Sequence, residues 1–250
     1  MQVKDKKHKV IDIHTHAYPD ELSKRAISEM EKVFGLSIKN GGTINELLSK
    51  MDNEGIYISV VQGVALKPEQ VPSINTWLAD IQSERIKCFG AMHPDYPYFK
   101  QELENSKALG FWGIKFQPEF QDFFPDEKRM FPFYKELEKL KLGVLFHTGY
   151  ELSHPGLIHA TPERIRKVHE RFPGLILIAG HFGGYRVWDE VEKHLVGTNV
   201  LFDTACVFNE LNNDTICRII RAHGAKKILF GSDYPIFSSK EALEGVCALN

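Results

Sequence analysis

Hydrophobic and polar positions along the chain follow two alternating patterns. Short runs rich in β-branched and other apolar residues recur at Val10–His16, Ile58–Val64, Ile86–Met92, Trp112–Phe116, Gly143–His147, Leu175–His181, Val200–Cys206 and Lys227–Asp233. Their length and composition predict buried strands. Between them lie amphipathic segments that predict helices over Asp20–Phe34, Thr43–Glu54, Pro72–Glu84, Tyr98–Leu109, Phe131–Leu140, Pro162–Phe172, Arg186–His194 and Leu211–His223, with a last one opened by Ser238-Ser239. The punctuation agrees: Thr43-Ile-Asn-Glu46 has a capping-box pattern, Gly110 stands just past a helix end, and Pro162 sits in a first helical turn. Strands alternating with helices imply a parallel sheet, and eight such units imply closure into a single (β/α)₈ TIM-barrel domain over residues 1–250. The open doubly wound alternative is not supported, since no Gly-x-Gly-x-x-Gly follows any strand.

Composition narrows the function classes. With 250 residues, 43% hydrophobic and 26% charged, the chain is long enough for one barrel with a sizeable core. A formal net charge of -2 gives no reason to expect nucleic acid or an anionic membrane as partner. Lysines 4, 6, 7 and 9 make residues 1–9 a basic, solvated tail, and the apolar run after it meets His14 too soon to be a signal-peptide core. No stretch is long enough to span a bilayer. The four cysteines show no Cys-x-x-Cys spacing and read as reduced structural residues of a cytoplasmic chain.

A barrel places its chemistry at the C-terminal ends of its strands. There the sequence puts His14 and His16 on the first strand, Lys115 and Gln117 on the fourth, His147 on the fifth, His181 on the sixth and Asp233 on the eighth. In a regular strand Asp12, His14 and His16 share one face, so two imidazoles would point at one spot. His14, His16, His147 and Asp233 together form an N/O ligand set suited to a divalent metal, with one Zn²⁺ the expected ion and Mn, Fe, Co or Ni compatible. Asp233 would coordinate or accept the proton of an activated water, and His181 would be a further ligand or a general acid/base. Lys115 has three readings, a carboxylated bridge, a substrate-binding ammonium or a structural partner, and the last two are preferred. Gln117 is a candidate substrate contact, as are His154 and Arg186 on the loops beyond the strands. Asp12, one layer deeper, would support the ligands rather than join them.

Asp12-Ile-His-Thr-His16, Gly113-Ile-Lys-Phe-Gln-Pro118, His147-Thr-Gly149, Gly180-His-Phe-Gly-Gly184 and Gly231-Ser-Asp-Tyr-Pro235 occur in that order. Together they resemble the amidohydrolase superfamily, in the branch that includes aminocarboxymuconate-semialdehyde decarboxylase and related aromatic-acid decarboxylases. The resemblance implies a distorted TIM barrel with one divalent metal, usually zinc. It also implies that His14, His16, His147 and Asp233 are the ligands, that His181 activates water, and that Lys115 is not a carboxylated bridge. Relatives in this branch usually continue through further helices after the Gly-Ser-Asp motif. The expectation is therefore a short final helix, or an outer wall completed by a second subunit in a homodimer.

Three functions fit these residues. The first is a hydrolase in which a metal-activated water attacks a small carbonyl-containing substrate, with His181 and Asp233 moving protons. The second is a non-oxidative decarboxylase of a small unsaturated or aromatic acid, favoured by a cation such as Lys115 or Arg186 that clamps the carboxylate. The third is a barrel that binds metal or ligand without catalysis, favoured if His181 or Asp233 faces away from the metal.

Overall fold

The computed structural model describes residues 9–249. Eight strands run in parallel and in sequence order: β1 (Val10–Thr15), β2 (Ile56–Gln62), β3 (Ile86–Ala91), β4 (Gly113–Phe116), β5 (Gly143–Phe146), β6 (Leu177–Ala179), β7 (Leu201–Asp203) and β8 (Ile228–Leu229). The segment after β8 closes the ring onto β1: Ile13 N donates to Phe230 O at 2.8 Å, His16 N to Tyr234 O at 2.6 Å, and Asp233 N to His14 O at 2.9 Å. The fold is the (β/α)₈ barrel that the alternation implies. Its helices are α1 (Asp20–Phe34), α2 (Ile44–Glu54), α3 (Val71–Ile81), α4 (Phe99–Ala108), α5 (Phe131–Leu140), α6 (Pro162–Arg171), α7 (Trp188–His194), α8 (Asn213–His223) and α9 (Ser239–Cys247). The basic tail expected over residues 1–9 lies outside the described residues except for Lys9, whose ammonium sits 4.0 Å above the Tyr57 ring.

Local chemistry sets the helix ends. Thr43, Thr161, Asn212 and Ser238 each accept a backbone N–H at the start of α2, α6, α8 and α9, and glycines in the left-handed region end α1 and α2. Inside the barrel Ile13, Val60, Phe89, Leu145 and Ile178, from five different strands, pack as one cluster. Burying each such side chain contributes about 1.5–3 kcal/mol, and together they plug the barrel beneath the C-terminal rim. A larger layer, including Phe116, Phe146, Tyr134 and Phe202, fills the space between sheet and helices.

Two expectations change. First, several strands are shorter than the apolar runs. β6 spans Leu177–Ala179, not Leu175–His181; β7 spans Leu201–Asp203, not Val200–Cys206; β8 spans Ile228–Leu229, not Lys227–Asp233. Beyond the ladder the chain turns left-handed at His181 (φ 56°), Cys206 (φ 65°) and Asp233 (φ 63°), three polar residues at the rim. Non-glycine residues in that region cost on the order of 1–3 kcal/mol each, a strain that clusters at functional sites. Second, β1 is not a regular strand. Its register against β2 slips between Asp12 and Thr15, so Ile13 joins the interior cluster while its neighbour His14 also reaches the barrel rim.

Candidate metal centre

Each histidine at the rim is oriented by the group on its other nitrogen. His14 Nδ1 lies 2.8 Å from Asp203 Oδ2, and His16 Nδ1 lies 3.3 Å from the Gln62 carbonyl. Both partners are acceptors, so each Nδ1 carries the proton and each Nε2 is left as a bare lone pair. Those two nitrogens meet one atom, Asp233 Oδ1, at 3.6 Å each. His14 Nε2, His16 Nε2 and Asp233 Oδ1 are thus three converging donors within 4.8 Å of one another. Two neutral imidazoles and a carboxylate fit a divalent first-row cation.

Burial sharpens the site. His14, His16 and His181 are held well below the usual histidine range, first by desolvation and then by neighbouring positive groups, so they rest neutral and ready to ligate. Burial raises Asp233 to about 6 in the metal-free protein, opposed by the Cys206 hydrogen bond and by Lys115. A bound cation would favour its deprotonated form.

Support comes from two buried carboxylates. Asp203 holds His14 through Oδ2 and accepts the backbone N–H groups of His181 and Ala205 through Oδ1, both at 3.0 Å. Asp12 accepts Ser232 Oγ at 2.6 Å, Ser232 N at 3.1 Å and His14 N at 3.2 Å, tying β1 to the segment that carries Asp233. The sequence reading anticipated a supporting Asp12 and missed Asp203, although Val-Leu-Phe-Asp203 has the same form as Val-Leu-Phe-His147.

The other candidates separate into those at the site and those away from it. His147 does not join the converging donors. Its Nε2 lies 3.3 Å from the Tyr150 carbonyl and its Nδ1 2.9 Å from His181 Nε2. The carbonyl fixes the tautomers: His147 donates from Nε2 and accepts at Nδ1 from His181 Nε2–H. His181 Nδ1 is then a bare nitrogen, buried and without a hydrogen-bond partner. Lys115 is 1% exposed, and burial lowers its ammonium to about 8 against the raising effect of Asp203, Asp233, Glu151 and Cys206. Gln117 lines the same cavity and donates to Glu151 Oε2 at 3.0 Å. Glu151, a buried loop residue, had no signal in the periodic pattern.

Arg186 and His154 do not line the cavity. The Arg186 guanidinium forks onto Glu210, with bonds of 2.7 and 3.1 Å, and its side chain is half exposed. His154 is exposed, bonded to Ser153 Oγ at 2.8 Å and packed on Phe120. None of the four cysteines is in a disulfide. Cys88 is buried among apolar residues as expected, whereas Cys206 departs from a structural role: it lines the cavity with its thiol 3.0 Å from Asp233 Oδ2.

The cavity measures about 370 Å³ and opens above these groups. Its walls are largely apolar, with Met30, Val33 and Phe34 from α1 and Leu66, Phe120 and Phe237 from the rim loops. Such a volume and lining suit a small, partly apolar ligand with its polar end toward the metal donors. Among the described residues no helix is long and apolar enough to cross a membrane.

A family model described as "Amidohydrolase" matches residues 11–248. No curated protein matches the chain. Among solved structures the chain is similar to an uncharacterised TIM-barrel protein from Bordetella bronchiseptica, at 18% identity and TM-score 0.74 over 97% of this chain and 92% of the other. It is also similar to 2,6-dihydroxybenzoate decarboxylase from Rhizobium, at 19% identity and TM-score 0.68 over 97% and 93%. A third is a manganese-bound 5-carboxyvanillate decarboxylase from Novosphingobium aromaticivorans, at 15% identity and TM-score 0.70 over 98% and 92%. At these identities the likeness is one of fold.

Proposed function

Because the chain belongs to the amidohydrolase family, we propose that it is a metal-dependent, non-oxidative decarboxylase of a small aromatic or unsaturated acid. This puts the decarboxylase alternative ahead of the hydrolase, the first reading of the sequence. The observation that carries it is Lys115. Its ammonium is buried at the floor of the cavity, yet among the described residues no carboxylate lies within ion-pairing distance of it. A buried charge without a direct counter-ion is costly, and an anionic substrate would supply that counter-ion. The decarboxylases among the structural neighbours are in keeping with this reading.

A divalent cation held by His14, His16 and Asp233 would draw electron density from the substrate's carboxylate and adjacent oxygen. Zinc, the ion expected from the sequence, and manganese both suit these donors. Lys115 binds and orients the negative end of the acid, and the apolar walls keep water from the ring. His181 is the group suited to move the proton. Its imidazole lines the cavity, and its depressed basicity makes it hand a proton on readily. The bond to the carboxyl carbon breaks, CO₂ leaves, and the electron pair left on carbon takes the proton from His181. The His147 ring, 2.9 Å from His181 Nε2, steadies the imidazole during the transfer.

The test is turnover of a panel of hydroxybenzoates and unsaturated acids, beside lactones and amides, by the metal-loaded protein in D₂O. The expected result is metal-dependent CO₂ release, equal to the acid consumed, with deuterium on the carbon that lost the carboxyl group. Metal-dependent cleavage of lactones or amides without CO₂ would overturn the proposal in favour of hydrolysis.

A further inference from the structure

Asp233 offers its two oxygens to two different sets of side chains. Oδ1 is the atom 3.6 Å from Nε2 of both His14 and His16, whereas Oδ2 accepts the Cys206 thiol at 3.0 Å. Donor atoms of His181, Cys206 and Asp233 also lie within 4.8 Å of one another, a second cluster beside the first. His181 brings an imidazole to it, and one nitrogen of that ring, Nδ1, is buried with no hydrogen-bond partner. Cys206 is held by a left-handed backbone (φ 65°) three residues past the end of β7, and it lines the cavity.

We infer that His181, Cys206 and Asp233 Oδ2 form a second cation site, selective for thiophilic divalent ions, that shares Asp233 as a bridge with the site of His14 and His16. Thiolate, imidazole and carboxylate are the ligands of zinc-like and softer cations, and three protein ligands leave a fourth position to solvent. The thiol proton is released to solvent when the cation binds. A carboxylate with one oxygen on each donor set is the arrangement a bridging ligand needs. The site stands on geometry alone. Its consequence for catalysis rests on the proposed function: a cation there occupies the proton carrier His181, so excess thiophilic metal inhibits the enzyme.

The probe is Cd²⁺, added to protein already loaded with one equivalent of Mn²⁺. Bound metal is counted after gel filtration, and the thiolate-to-cadmium charge-transfer band is followed in the ultraviolet. Total bound metal is expected to rise to two equivalents as the band appears. Cys206→Ser is expected to lose the second equivalent and the band while keeping the first, whereas the exposed Cys247→Ser keeps both. Should C206S fail to fold, His181→Gln tests the same site, with loss of the second equivalent expected. A second equivalent that survives in the soluble variant overturns the inference. So does a single equivalent that already carries the band, which would put the thiol on the first metal. If the two equivalents and the band are found but no acid is decarboxylated, the site stands and the proposed reaction falls.

Discussion

Asp203 Oδ2 lies 2.8 Å from His14 Nδ1, with Asp203 fully buried and its other oxygen on the backbone N–H groups of His181 and Ala205. The carboxylate therefore sets which nitrogen of His14 faces the metal position. Asp203→Asn can place an amide N–H against Nδ1, which moves the ring proton to Nε2 and blocks the lone pair that would ligate. Metal affinity is expected to fall about 10- to 100-fold, as for loss of other groups that hold a ligand in place. A chelator competition titration measures it, and unchanged affinity would show that His14 needs no such anchor.

Lys115→Met keeps the bulk of the side chain and removes its charge. If Lys115 pairs with the substrate acid, the loss is about 2–5 kcal/mol of binding, which lowers kcat/KM roughly 30- to 5000-fold. Metal content should not change, since Lys115 is not among the converging donors. Steady-state kinetics and metal analysis on one preparation check both halves.

Gly149 is the hinge on which the β5–α6 loop meets the loop after β6. It has φ 95°, and a Cβ there would lie 2.2 Å from Tyr185 N and 2.5 Å from Tyr185 O. Those backbone groups are already committed: Tyr185 N donates to Thr148 O at 2.8 Å and Tyr150 N to Tyr185 O at 2.9 Å. Gly149→Ala must break this seam, at a cost on the order of 3 kcal/mol or more. Thermal unfolding should show the loss, and altered near-ultraviolet dichroism should report the displaced Tyr150 and Tyr185.

Away from the site, His223 gives a pH dependence with a defined sign. Its ring stacks on Phe202 at 4.0 Å, donates to Val200 O at 2.8 Å and accepts from Gly197 N at 3.2 Å. Burial lowers it from 6.5 to about 4. Between those values the unfolded chain binds more protons than the folded one, so stability falls as pH drops from about 6.5 toward about 4. His223→Phe keeps the stack but leaves Val200 O and Gly197 N unpaired, costing about 1–3 kcal/mol for each. Calorimetry of the metal-free protein should find it less stable near neutral pH, with a smaller further loss on acidification. An unchanged slope would contradict the buried neutral ring.

How much of this was legible in the sequence varies by element. The eight apolar runs and their intervening amphipathic segments specify the barrel, because burial on both faces of a parallel strand leaves a continuous apolar signature. Thr43 and Ser238 announced their helices by their own hydrogen-bonding chemistry, and Pro162 announced its helix by its place in a first turn, whereas the Thr161 cap went unread. The polar residues at the ends of five of the eight runs marked the rim, which is how His14, His16, His181 and Asp233 were found. What pattern could not show is the conformation at those ends. The chain turns left-handed at His181, Cys206 and Asp233 beyond the ends of the strands, and no periodicity encodes a single φ angle. The register slip in β1 was not legible either, yet His14 and His16 still point at one atom, Asp233 Oδ1, as the period-two argument expected. Arg186 and His154 occupy loops, where a charge partner such as Glu210, distant in sequence, decides where a side chain goes.

Anomalous diffraction from crystals of the metal-loaded protein, recorded at the absorption edge of the bound ion, bears most directly on the converging donors. The expected result is a peak about 2.0–2.2 Å from His14 Nε2, His16 Nε2 and an oxygen of Asp233. A peak that touches none of these three, or none at all in protein shown to carry stoichiometric metal, would contradict the site and the reaction built on it.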